Sequence, residues 1–457
     1  MHQGTNGRRA GIIPRACIVL AAALMLLPAH RLAGEPGMKD EPGVPSRFID
    51  ARNRAVAWLE GQMVPGKVLA RPQPGREGMI MSFGVAEGHA LYGKSSLYDN
   101  ALAIIALDMA GRTDQATRIA AAVCAQMDTS PEPWFFYNLH NAWPEPGSPE
   151  AVSRTGASAW LGCALVFHCQ VLLLEDCSSE GARYAYFARY AKSLAQAIMK
   201  RQVRDAEDRR YGLVPGGLNS IVLSWDPLTK SPLETFKRME IDWVSTEHSI
   251  DTWFFLNALA VMTGKDRYRR DAALVRAGIM KRLWNEGLRQ FSTGMTRWET
   301  DTAESLDCAS WGSIFLQATG EREKALAALK TCGNDLNRHG DVLGYRPYNN
   351  AMIYDTPVLN DKMFPGDPEK RWNSLPFVWP EGSLGVALAA IRNNQVEQWT
   401  EILDNIIKMQ LPDGGIPYAS EEVPNLFTKR TAVASAAWLV IAVNALANPE
   451  LDALFWR

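Results

Sequence analysis

Residues 305–336 read SLDCASWGSIFLQATG followed by EREKALAALKTCGNDL. The first half is apolar nearly all round and rich in small residues, and a helix of that kind must be buried on every side. The second half, from Glu321, carries one apolar stripe and one charged face, the pattern of a helix with one side in water. Gly320 separates the two, and glycine just past a helix end is the usual stop signal. A buried helix joined by a tight turn to a surface helix is a hairpin with an inner and an outer member.

The unit recurs along the chain. Helical periodicity predicts twelve helices, over 47–64, 96–111, 112–128, 157–175, 182–203, 245–264, 266–285, 306–320, 321–336, 378–394, 395–410 and 431–449, with little strand signal. The even-numbered ones hold the apolar runs ALAIIALDMAG, AWLGCALVF, FFLNALAVM, WGSIFLQATG, GSLGVALAAI and VASAAWLVIAVNALA. Inner-to-outer connections are tight, at Gly111-Arg112, Gly264-Lys265, Gly320-Glu321 and Asn393-Asn394. Outer-to-inner connections are long: 65–95, 129–156, 204–244, 286–305, 337–377 and 411–430. Loops of that length are uncommon in compact domains unless they are functional. All six emerge over the N-terminal ends of the inner helices. Inner-helix starts near 99, 157, 247, 307, 381 and 431 recur about every 66 residues. An open solenoid would repeat every 30–47 residues or so at nearly constant length. Repeats of varying length, with the variation on one face, predict an all-α (α/α)6 toroid of six helical hairpins with long loops on one face.

The chain has 457 residues, 47% hydrophobic and 21% charged, an ordinary balance for a well-cored soluble protein. Length alone would suggest about three domains; the alternation reduces them to one, over 47–457. Residues 1–33 read as a signal peptide: Arg8, Arg9 and Arg15 precede an apolar run from Ala16 to Pro28, too short to span a membrane. Residues 34–46 form a linker. The Arg8-Arg9 pair is followed by Ala10-Gly11, which favours a general export signal over a twin-arginine one. The chain is thus expected in the periplasm or secreted, with no stable membrane insertion after cleavage, and as a monomer. Removing 1–33 takes away four arginines and no acid, leaving 44 basic against 50 acidic residues, net −6. That balance excludes a nucleic-acid partner. Cys308 and Cys332 each lie twelve residues from Gly320, so they could face each other as a disulfide; the alternative for the cysteines is buried free thiols.

Acids gather where long loops meet inner helices. The starts read Tyr98-Asp99-Asn100, Ser245-Thr246-Glu247-His248-Ser249-Ile250-Asp251, Leu306-Asp307-Cys308-Ala309-Ser310-Trp311 and Trp379-Pro380-Glu381-Gly382. Of the chain's 15 tryptophans, the loops hold Trp134, Trp143, Trp225, Trp243, Trp298, Trp372 and Trp379, of which two or three are expected to be substrate platforms. Two further loop motifs contain Tyr345, Arg346, Tyr348 and Asn349, and Tyr418. Acids and flat aromatics around one mouth suit a neutral carbohydrate, since sugar C–H faces pack on rings and carboxylates accept hydroxyl hydrogen bonds. Glycoside hydrolysis needs one protonated and one ionised carboxyl. Glu247, next to Trp243 and the Trp253-Phe254-Phe255 run, is the candidate acid, because apolar burial raises a carboxyl pKa. Glu381, Asp99 and Asp307 are candidate partners. Candidate substrate-binding residues are His248, Asp251, Tyr98, Trp243, Trp311, Trp379, Tyr345, Arg346, Tyr348, Asn349 and Tyr418.

Ordinary helix grammar competes with these assignments. Ser96-x-x-Asp99 reads as a capping box, Glu381 follows Pro380 in a first turn, and Asp307 is similar. Glu247 and Asp251, four apart on one face, go beyond capping. His248 could bind an acid, bind substrate, or sit satisfied in the core. No cofactor or metal is called for; Asp413-Gly414-Gly415 is too short to be a calcium site.

The alternating rings and the segments YDNALA, STEHSID, LDCASWG, VWPEGSLG and PDGGIPYAS resemble the six-hairpin (α/α)6 glycosidase-like superfamily over 47–449. The resemblance implies carbohydrate chemistry, mostly glycoside hydrolysis, with some lyases, phosphorylases and epimerases. The leading expectation is an exported glycoside hydrolase acting on an oligo- or polysaccharide. A polysaccharide lyase, with Tyr345, Arg346 and His248 as its groups, and a non-catalytic glycan-binding protein of an exopolysaccharide system are the alternatives.

Overall fold

The computed structural model describes residues 43–67, 69, 73–128, 132–140, 152–175, 181–226, 231–301, 303–348, 376–423 and 427–456. The expected signal segment, Trp143, Trp372, Asn349 and Cys177 lie outside the described residues, as does the side chain of Trp225. Thirteen helices occur among them: α1 (Ser46–Gln62), α2 (Leu97–Met109), α3 (Thr113–Met127), α4 (Thr155–Glu175), α5 (Gly181–Arg201), α6 (Thr246–Thr263), α7 (Asp266–Arg282), α8 (Leu306–Ala318), α9 (Arg322–Thr331), α10 (Pro380–Arg392), α11 (Val396–Ile406), α12 (Val433–Ala447) and α13 (Pro449–Phe455).

The inner helices pack in the order α2, α4, α6, α8, α10, α12, and α12 returns to α2, so the ring is closed. Each has one outer companion: α3 on α2, α5 on α4, α7 on α6, α9 on α8, α11 on α10. The sixth hairpin joins opposite ends of the described chain, because α1 packs on α12. The tight turns have the geometry their residues suggest. Gly111, Gly264, Gly320 and Asn394 all have positive φ, a conformation that costs glycine nothing and asparagine little. Small residues let the inner helices approach closely. A Cβ on Gly162 of α4 would lie 2.4 Å from the Phe255 ring of α6.

Three features differ from the sequence reading. The connection 204–244 is not a loop but a long hairpin, strand Pro215–Asp226 against strand Ser231–Ser245. It is the core of a five-stranded antiparallel sheet that also takes in Ser153–Arg154, Gly294–Met295 and Thr300–Asp301. Its short partner strands come from distant loops, which no local periodicity can reveal. Cys308 and Cys332 are buried free thiols rather than a disulfide. Each is turned to a backbone carbonyl, Cys308 to Ser292 and Cys332 to Ala328. Finally, α13 was too short to show periodicity. Asn448 caps it, accepting from Leu451 N at 3.1 Å, and Pro449 stands at its first turn.

Helix α13 closes the ring from the face opposite the long loops. Asp452 accepts from Arg392, the last residue of α10, at 2.9 Å. Phe455 and Trp456 then enter the ring, where Trp456 lies 5.2 Å from Trp311 and 5.5 Å from Phe254 between ring centroids. Phe455 and Trp456 thus pack against Trp160 and Trp311, which floor the cavity on the loop side.

Candidate active site

The mouth of the ring holds a cavity of about 1230 Å³. Tyr98, Asp99, Trp243, Glu247, His248, Asp251, Asp307, Trp311, Tyr348, Trp379, Glu381 and Tyr418 all line it. Four inner helices converge there because each starts at this face, and helix N-termini carry unpaired N–H groups that favour acids.

Helix grammar and cavity position coexist at these starts. The Ser96 hydroxyl accepts from Asp99 N at 3.1 Å, the expected cap, while the Asp99 side chain is buried against the cavity. Burial lifts its carboxyl to about 7, although Ser82, Ser96 and the Ala434 backbone donate to it. Glu381 is half-buried and accepts from Tyr98 Oη at 2.8 Å; the same oxygen accepts from Trp438 Nε1 at 2.9 Å. Burial raises Glu381 to about 8; the Tyr98 hydrogen bond works against that rise, and the neighbouring charges of Asp99 and Glu247 add to it. Glu247 projects into the open cavity, accessible to solvent but walled by the ring, and this enclosure raises its pKa. Asp307 is raised well above the ordinary range, by burial first and then by Glu247 and Glu381. Buried acids that crowd each other keep their protons, and those lost first leave from carboxyls whose anions are hydrogen-bonded.

Asp251 sits one turn below Glu247 and is 2% exposed. Its Oδ1 accepts from Trp311 Nε1 at 2.9 Å. Burial, and then Glu247, hold it well above the usual carboxylate range. Trp311 stacks on Trp160 with centroids 5.3 Å apart and planes at 24°. His248 is not a satisfied core histidine: its Nδ1 is buried with no hydrogen-bond partner among the described residues. Burial, and then the Arg154 charge, push its pKa down to about 4, so the ring is neutral at neutral pH. A Cβ on Gly156 would lie 2.3 Å from His248 Cδ2, so only glycine fits there. Trp243, centred 5.7 Å from the His248 ring, forms the lip at 38% exposure.

Two candidates fall away. Tyr345 and Arg346 do not line the cavity. Tyr345 is buried beside α11, where Gln398 reaches its hydroxyl at 3.5 Å. Arg346 donates to Asn334 O at 3.0 Å and compensates the buried Asp335. Tyr345 ends the strand Val342–Tyr345, which pairs with Leu336–His339, and Arg346 follows it, its backbone N–H donating to Asp335 O at 3.0 Å. Of the loop tryptophans, Trp243 and Trp379 line the cavity; Trp298 is 82% exposed elsewhere, and Trp134 packs on Tyr137. Most of the aromatic floor comes instead from the inner helices, through Trp160, Trp311 and Trp438. The signal was present in AWLGCALVF and ASAAWLV, where one large ring stands among small residues. Lys94, Phe135, Phe136 and Arg154 also line the cavity, and nothing in their local sequence marks them.

No protein-family model and no curated protein matches this chain. Solved structures do. A D-mannose isomerase is similar over 89% of this chain and 100% of its own, at 10% identity and a TM-score of 0.58. A glycosidase in complex with glucose covers 90% and 99% at 11% identity and a TM-score of 0.56. A family 76 glycoside hydrolase from a bovine Bacteroides thetaiotaomicron strain covers 89% and 78% at 9% identity and a TM-score of 0.52. The shared feature is the (α/α)6 six-hairpin glycosidase-like fold.

Proposed function

We propose that this chain is an exported glycoside hydrolase acting on an oligo- or polysaccharide. The observation that carries the reading is the pairing of two unlike acids across an aromatic-floored cavity. Among the described residues Glu247 has no donor favouring its anion, whereas Glu381 has the Tyr98 hydroxyl at 2.8 Å. Glu247 then gives its proton to the glycosidic oxygen as the bond to the anomeric carbon breaks. Once ionised, which burial holds back until pH approaches about 8, the Glu381 carboxylate faces the positive charge that develops at that carbon and takes up the proton of the incoming water. The charge on the sugar strengthens the Glu381 anion in the transition state, where it counts toward rate. Asp99, held by three donors, stands behind Glu381, and Asp251 holds Trp311 under the sugar. Of the residues through which elimination could run, Tyr345 and Arg346 sit away from the cavity, which favours hydrolysis over a lyase.

The test is product release from an oligosaccharide panel by the wild type and by Glu247→Gln and Glu381→Gln. Each substitution is expected to lower kcat by about 10²–10⁴-fold while glycan binding persists. Undiminished turnover by Glu247→Gln on a cognate glycan would overturn the assignment.

A further inference from the structure

Acids occupy the floor of the cavity, but one wall is cationic. Lys94 lies on the strand Lys94–Ser96, which pairs with Phe136–Asn138. Its ammonium is 6.0 Å from the Phe136 ring centroid, and the Arg154 guanidinium is 6.0 Å from that of Phe135. The two rings are 4.5 Å apart, so both cations stand on one aromatic pair. All four residues line the cavity. Arg154 Nη1 donates to Ser153 O at 3.1 Å and to Asn219 O at 2.9 Å, which fixes the guanidinium in place.

Neither cation has a carboxylate within ion-pair distance among the described residues. Other half-buried or buried arginines do: Arg201 pairs with Glu132, Arg210 with Asp208, and Arg392 with Asp452. A half-buried guanidinium held by neutral carbonyls leaves its charge uncompensated, and its planar fork suits a carboxylate or an ester anion. Arg154 also stands at the reacting end of the site, since its charge is felt at His248, next to Glu247. The floor does not repel an anion as its composition would suggest. Five acids raised by burial present less negative charge than five ionised ones.

We infer that Lys94 and Arg154 bind an anionic substituent of the glycan, a sugar carboxylate or a sulfate ester, on the residue next to the scissile bond. The inference rests on the hydrolase reading for the scissile bond but not for the anion. It replaces the neutral substrate expected from sequence with an acidic glycan.

The test uses matched oligosaccharide pairs, uronate-containing and sulfated, each against its neutral parent. Binding is measured by calorimetry on the Glu247→Gln chain and turnover on the wild type. At least one acidic class is expected to bind about tenfold or more tightly than its neutral parent, with the advantage shrinking as salt rises. Which class does so identifies the anion. Lys94→Gln and Arg154→Gln are each expected to reduce the acidic-to-neutral preference by about tenfold, and Arg154→Lys to restore part of it. The Lys94 side chain makes no hydrogen bond among the described residues, so its variant keeps the test valid should Arg154→Gln misfold. Neutral parents binding as tightly as both acidic classes, no binding by either class, or a preference surviving in Lys94→Gln and Arg154→Lys alike overturns the inference. Acidic preference without turnover removes the hydrolase reading and leaves the anion wall standing. An unsaturated, ultraviolet-absorbing product means elimination in place of hydrolysis and again leaves the wall.

Discussion

Helix α2 buries an aspartate at each end, and the two ends do opposite things with it. Near its C-terminus, Asp108 accepts from His168 Nδ1 of α4 at 2.9 Å, and His168 Nε2 meets Thr117 of α3 at 3.1 Å. Both members of that pair are fully buried. At the N-terminus, Asp99 faces a cavity shared with Glu247, Asp251, Asp307 and Glu381. The first acid has a partner of opposite character and a closed set of hydrogen bonds. The second group has mostly acids for neighbours. Burial with a complement ties three helices together, whereas burial with like charges stores protons and leaves lone pairs for a ligand.

The sharpest test of that contrast removes the complement. His168→Ala strands the Asp108 carboxyl in the core and is expected to cost about 3–5 kcal/mol, read as a fall in the denaturant midpoint. A loss comparable to a surface substitution would mean that the pair contributes nothing to the ring. A smaller effect is expected at the mouth, on activity rather than stability. Tyr98→Phe removes the donor to Glu381 and should lower kcat by about tenfold while moving the acid limb of the pH–rate profile upward. An unmoved acid limb would separate Glu381 from the chemistry.

Smallest of all is the expected change on Asp307→Asn. It relieves crowding among the acids and should raise stability at pH 8 by about 1 kcal/mol, the opposite sign to His168→Ala. The pH dependence follows the same logic. Asp99 rises from 3.8 to about 7 and Glu381 from 4.5 to about 8, so between those limits the folded chain holds protons that the unfolded chain has released. Their contribution to stability is complete below the unfolded values and is lost as pH rises through about 7 and 8. Melting temperature should therefore fall between pH 5 and 8.5, and fall less in Asp307→Asn. A melting temperature rising across that window would mean that the acids are ionised throughout.

The cluster itself was visible in sequence because each acid occupies the same position in a repeated unit. Asp99, Glu247, Asp307 and Glu381 all stand in the first turn of an inner helix. The cationic wall was not visible, because Lys94 and Arg154 come together only through strand pairing and the edge-to-face contact of Phe135 with Phe136. Arg346, by contrast, looked like a ligand-binding arginine in a loop motif, yet it serves a buried aspartate.

The amino-acid sequence determined the number of hairpins, which member of each is buried, and which face carries the long connections. Those are matters of periodicity and turn chemistry, each legible within about 20 residues. The tertiary structure decided which acids keep their protons, which aromatics form the floor and where the unpaired cations stand. Those depend on burial and on neighbours far along the chain, and a titrating or stacking group takes its properties from what surrounds it in space.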